Sequence, residues 1–131
     1  RRRLQEIENL RKKSYSQKEY KKEKAAFFGL QFKKGKVLIK FLENLKEFKK
    51  EAEIHKHCVY ENKYFAKLDS LIFSAYVDGK PTETIEFSIK NMCVLQSRGF
   101  KNKASSFNKE IVSLINKNIP TIQKRIKEHA A

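Results

Sequence analysis

Glycine is scarce in this chain, and a large part of nucleotide chemistry is excluded with it. Only four glycines occur, at positions 29, 35, 79 and 99, and none falls in a phosphate-cradling pattern. Cysteine is scarcer still: Cys58 and Cys93 are too few for a disulfide framework, which fits a reducing compartment. No apolar run approaches the ~20 residues a membrane span needs, and the start lacks the form of a secretory signal. The expectation is a cytoplasmic chain without a membrane partner. An initiator methionine is missing too, since the sequence opens Arg1-Arg2-Arg3. We expect it to be excised or processed from a longer polypeptide.

Acidic residues are outnumbered two to one. Thirty Lys and Arg face fifteen Asp and Glu over 131 residues, for a net charge of +15. Residues 1–24 hold ten basic and four acidic side chains, 25–50 seven and two, and 96–131 eight and two. The stretch 51–95 holds five and seven, so the excess flanks a nearly neutral middle. A field of this kind attracts polyanions through steering and counterion release, whatever the fold. Nucleic acid is the first partner it implies.

What is present suffices for one domain. An apolar content of 40%, with ten Phe and five Tyr, can form a real core. Leu4, Ile7 and Leu10 repeat at helical spacing among charges, so residues 1–26 read as a charged helical lead-in to a single α+β domain over 27–131. A short strand is expected within 25–32, a turn at Lys33-Lys34-Gly35-Lys36, and a helix over 36–55 with Leu38, Phe41, Leu42, Leu45, Phe48 and Ala52 on one face. The period then changes to two. Leu71, Phe73, Ala75 and Val77, then Ile85, Phe87 and Ile89, alternate with their neighbours on either side of Asp78-Gly79, a hairpin dipeptide. Further strands are expected at 59–67 and 92–96. Asn102 is the expected cap of a last helix, broken near 118–120 by Pro120. The fold class is therefore α+β: a small antiparallel sheet of three or four strands against two or three helices that cover one face, with a leading charged helix.

Catalytic constellations are unsupported. His55, His57, Cys58 and Cys93 are metal-ligand types, yet no paired spacing preorganises them, so no metal or other cofactor is expected. His55-x-His57 with Tyr60 or Tyr64 only loosely resembles a rolling-circle nuclease pair, because Lys56 stands where those enzymes place a bulky apolar residue. Ser, His and Asp show no triad spacing, and the carboxylates diverge. The chain reads as a non-enzyme.

The basic clusters carry the functional expectation. Arg11, Lys12 and Lys13 lie in the lead-in, Lys33, Lys34 and Lys36 surround the Gly35 turn, and Arg98, Lys101 and Lys103 flank Gly99. Phe65 and Tyr76 would add base stacking if their sheet face were open. These residues point to nucleic acid, held mainly through phosphates. The alternative partner is a protein, or a second copy, docked through residues 1–26.

From Phe28 to about Lys127 the chain resembles the C-terminal segment of very large helicase and adenine-methyltransferase fusion proteins of bacterial mobile elements. The likeness rests on Phe28-Gly29-Leu30-Gln31-Phe32-Lys33-Lys34-Gly35-Lys36, on Tyr64-Phe65-Ala66-Lys67-Leu68, and on the Asn-x-x-Ile-Pro-x-Ile-x-x-Arg run from Asn116 to Arg125. The ATP-binding and methyl-transfer motifs of that family would lie outside this segment, so no catalytic residue carries over. The resemblance implies an auxiliary DNA-associated domain.

Overall fold

A computed structural model describes residues 15–57, 59–60 and 62–130. Leu4, Ile7, Leu10, Arg11, Lys12, Lys13 and Cys58 lie outside the described residues. The fold is α+β: the described residues form a five-stranded antiparallel sheet in simple sequential order with four α-helices. The elements are α1 (Gln17–Glu23), β1 (Gln31–Lys34), β2 (Val37–Phe41), α2 (Leu45–His55), β3 (Ser70–Val77), β4 (Lys80–Ser88), β5 (Cys93–Arg98), α3 (Asn108–Lys117) and α4 (Ile119–Ala130).

Two hairpin turns set the register. Gly35 takes φ +58° between the paired residues Lys34 and Val37, and Asp78 and Gly79 take +52° and +77° between Val77 and Lys80. Both two-residue loops need a positive φ that glycine accepts without strain. The second hairpin is the one expected from sequence. The first replaces the helical start expected at 36: Val37–Phe41 is a strand, because it pairs with β1 on one side and β3 on the other. Asn44 then caps α2, its side chain accepting the Glu47 N–H at 2.9 Å.

The described residues within the expected strand over 59–67 form irregular chain with a 3₁₀ turn at Tyr64–Ala66 instead. Lys63, at φ +52°, turns the backbone out of the extended region just before it. Nor is Asn102 a helix cap. It lies in a 3₁₀ turn at φ +64°, and α3 starts six residues later. Pro120 does end the helix run: α3 stops at Lys117, Asn118 leaves helical geometry, and Pro120 enters the first turn of α4, where no donor is needed.

Helices lie on both sheet faces rather than one. Glu83 and Thr84 are neighbours on β4 and therefore point oppositely. Glu83 Oε1 accepts from Asn108 Nδ2 of α3 at 3.0 Å, whereas Thr84 Oγ1 donates to Glu51 Oε2 of α2 at 2.5 Å. On the α3 side the cross-strand pairs Phe32–Ile39, Phe41–Phe73 and Leu71–Phe87 form the core, joined by the fully buried Ile111, Ile115 and Ile122. Each such side chain contributes about 2 kcal/mol on burial. Tyr20 of α1 stacks on Phe41 and meets Phe48 edge-on, and its hydroxyl donates to the Leu42 carbonyl. The described part of the lead-in thus belongs to the packed unit.

Candidate nucleic-acid interface

The sheet topology brings two sequence-distant basic clusters to one end. Antiparallel order places the β1–β2 and β3–β4 turns together, and the Asp78 N–H donates to the Lys36 carbonyl at 2.9 Å. Lys34 and Lys36 line a hollow of about 450 Å³ with Lys117 from the end of α3. Lys34 lies within hydrogen-bonding reach of Lys117, and that contact, followed by charge repulsion, pushes the Lys117 ammonium below its ordinary range. Two cations held together favour an anion between them. The Lys36 ammonium stands 4.7 Å above the Phe107 ring. Lys33, by contrast, pairs with Leu38 and projects from the opposite sheet face to Lys34.

Phe107 also borders a second hollow, of about 640 Å³, with Lys80, Lys103 and Phe100. Beyond Phe100, on the α2 side of the sheet, lies a third cavity, of about 330 Å³, which contains Arg98 and Lys101 from the predicted cluster around Gly99 together with Lys56 and His57. Glu110, Asp78 and Glu86 supply one carboxylate to each hollow in turn.

The loop joining these hollows is shaped by Gly99. A Cβ there would sit 2.3 Å from the Thr82 carbonyl oxygen, so only glycine lets the strand end pass so close to β4. The Gly99 N–H donates to Lys103 O at 2.7 Å, and Lys101 takes φ +53°. Phe100 is left 56% exposed, an aromatic among cations.

The expected stacking platform is absent. Phe65 sits in the 3₁₀ turn and is buried against Tyr15, Phe48 and Tyr60 at 5.6, 5.6 and 5.8 Å between ring centres. Tyr76 lies on β3, half-buried on the α2 side. The two share no strand face, because Phe65 lies in the 3₁₀ turn and not in a strand of the sheet. The exposed aromatic beside the basic residues is instead Phe100, which its position between Gly99 and Lys101 alone marks in the sequence. Lys80 and Lys117 were missed because each stands alone in sequence. Lys24, counted among the basic residues of the lead-in, is withdrawn from the surface altogether. It is 2% exposed, and its ammonium donates to the carbonyls of Lys67, Leu68 and Ser70 at 2.8, 3.2 and 2.8 Å.

Behind the third cavity lies a buried polar chain. His57 Nε2 is 2.9 Å from Thr84 Oγ1, and Thr84 donates to Glu51 Oε2, so with one hydroxyl proton available the imidazole is the donor to threonine. Ser74 donates to Glu51 Oε1 at 2.8 Å. Burial pushes the Glu51 carboxyl up to about 7, although both hydroxyl contacts oppose it. His55 Nε2 is 3.6 Å away, and burial, then the nearby His57, pulls that imidazole down to about 4. The pair therefore holds one proton between about pH 4 and 7 and stays neutral. Cys93 does not join these histidines: it pairs with Ser88, four residues along β4 from Thr84. Among the described residues no three His, Cys, Asp or Glu side chains group to hold a metal ion, and no helix is long and apolar enough to cross a membrane.

A family model for PcfJ-like protein matches residues 3–112, more than four-fifths of the chain. The chain belongs to the PcfJ-like protein family. The PcfJ-like match contains all three hollows' strand and loop residues and ends within α3, leaving α4 and Lys117 beyond it. Comparison with curated proteins and with solved structures finds no match.

Proposed function

We propose that this PcfJ-like domain is a non-catalytic nucleic-acid-binding module that serves a larger DNA-processing protein. The resemblance to helicase and methyltransferase fusions supports DNA over RNA and a cytoplasmic setting. One observation carries the reading: Lys34 and Lys36 converge with Arg98, Lys101 and Lys103 on one end of the sheet, joined by Lys80 and Lys117 and interrupted by the exposed Phe100. Cations that track a backbone, with an aromatic for base stacking, are the means by which proteins hold single strands; each stacked base is worth ~1–3 kcal/mol. Binding on this surface is mostly to phosphate and falls steeply with salt.

Fluorescence anisotropy with single-stranded DNA, duplex DNA and RNA across a salt series tests it. Single-stranded DNA should bind most tightly, and Phe100→Ala should weaken it more than it weakens duplex. No binding of any nucleic acid at ~50 mM salt, where phosphate contacts are strongest, would refute the proposal.

A further inference from the structure

The third cavity differs from the two hollows beside it in having a built interior. Its mouth carries the exposed Lys56 and Lys101 with the half-buried Arg98, and its floor carries the buried Ile72, Val59 and Thr84. At about 330 Å³ it matches the smallest ligand pockets, about 300 Å³, and has room for one small molecule rather than a length of polymer. Its polar wall is organised in advance. Gln96 Nε2 donates to Tyr64 Oη at 3.2 Å and to Glu86 Oε1 at 3.1 Å, while Glu86 Oε2 accepts from Ser70 at 2.7 Å and Lys67 at 3.1 Å. Among the described residues, the one carboxylate lining the cavity is thus already engaged by a cation and two neutral donors. His57 is held by its bond to Thr84, with the neutral Glu51–His55 pair behind it. Among the described residues, the three cations at the mouth consequently face no exposed opposing charge within the cavity.

Resting on the nucleic-acid reading above, we infer that this cavity seats a single nucleoside monophosphate unit, with its phosphate at Arg98, Lys101 and Lys56 and its base against Ile72, Val59 and the Tyr64–Gln96 wall. The apolar floor takes the face of a base, and the amide and phenol take its polar edge. An anion without a base would leave the space below the cations unfilled; a base without phosphate would leave Arg98, Lys101 and Lys56 without a counter-charge. The same chemistry is offered by a free nucleotide and by the phosphorylated end of a strand.

Amide NMR titrations of the chain with dAMP, deoxyadenosine and inorganic phosphate test the inference. dAMP should saturate, with shifts centred on Thr84, Gln96, Arg98 and Lys101. Its Kd should rise about tenfold or more in Arg98→Gln and in Lys101→Gln, the loss expected for one charge-assisted hydrogen bond, and stay unchanged in Lys34→Gln. Lys56→Gln, at an exposed position, repeats the measurement should either of the first two disturb the fold. A 5′-phosphorylated hexathymidylate that binds more tightly than its unphosphorylated counterpart would make the occupant a strand end; equal binding of the two, with dAMP still saturating the cavity, would make it a free nucleotide. Deoxyadenosine or inorganic phosphate shifting the same amides as strongly as dAMP would overturn the inference. So would dAMP leaving those amides unmoved; if long single strands then still bind, the module reading survives and only the nucleotide seat falls.

Discussion

Lys24 shows how little a residue's charge says about its task. Its ammonium is spent on three backbone carbonyls inside the fold, so Lys24→Met should cost about 3 kcal/mol, since acceptors left without a donor in a buried place are expensive. Urea unfolding measures the loss, and nucleic-acid affinity of the folded fraction should not change. Glu51 and His55 make a second prediction at this scale. Glu51 is raised from 4.5 to about 7, so the folded state holds the extra proton and its contribution, about 3 kcal/mol, is present below pH 4.5 and lost as pH rises to 7. His55 is lowered from 6.5 to about 4, so its contribution is present above pH 6.5 and lost as pH falls to 4. The two slopes oppose and cancel between pH 4.5 and 6.5. Unfolding free energy of the native chain should be nearly flat there, while Glu51→Gln should lose stability towards acid and His55→Gln towards neutrality. Parallel slopes in the two variants would contradict the shared-proton description.

Among the elements, the loop from Gly99 to Lys103 governs the surface proposed to bind. It is pinned by the close approach of Gly99 to Thr82 and by the Gly99–Lys103 hydrogen bond, with Lys101 in left-handed geometry between them. Gly99→Ala forces backbone against backbone and should destabilise the domain by about 2 kcal/mol, within the usual cost of overpacking. Thermal unfolding reports that cost. Because Arg98, Phe100, Lys101 and Lys103 move with the loop, single-strand affinity should fall as well, by more than the unfolded fraction accounts for. At this scale, sequence periodicity reached the β3–β4 hairpin, since alternation and Asp78-Gly79 agree, and the break at Pro120, since proline chemistry is local. It failed at β2. Leu38, Phe41, Leu42, Leu45 and Phe48 recur at three- and four-residue spacings that suit a helix, although the first two belong to a strand and the last two to α2. Only pairing with β1 and β3 decides between the two readings.

At the scale of the whole molecule, eight of the thirty Lys and Arg side chains line the three hollows. Replacing Lys34 and Lys101, one from each converging cluster, by Gln should lower the salt slope of single-strand binding by about 1.4, at ~0.7 per phosphate contact. The same change at Lys46 and Lys49 on α2, away from the hollows, should leave the slope unaltered. Equal slopes for the two double variants would show that position is irrelevant and that net charge alone attracts the polyanion. Composition determined by itself that this chain is strongly cationic, has aromatic side chains enough for a core, and carries no glycine-rich phosphate loop, because those are properties of residue type and need no neighbours. Local pattern determined that the fold is α+β. Tertiary structure alone decided which cations are available. It buried Lys24, turned Lys33 from Lys34, sank Phe65 and exposed Phe100, and joined Lys56 and His57 to Arg98 and Lys101, because each outcome depends on which distant backbone passes within a few ångströms and no spacing along the chain encodes that.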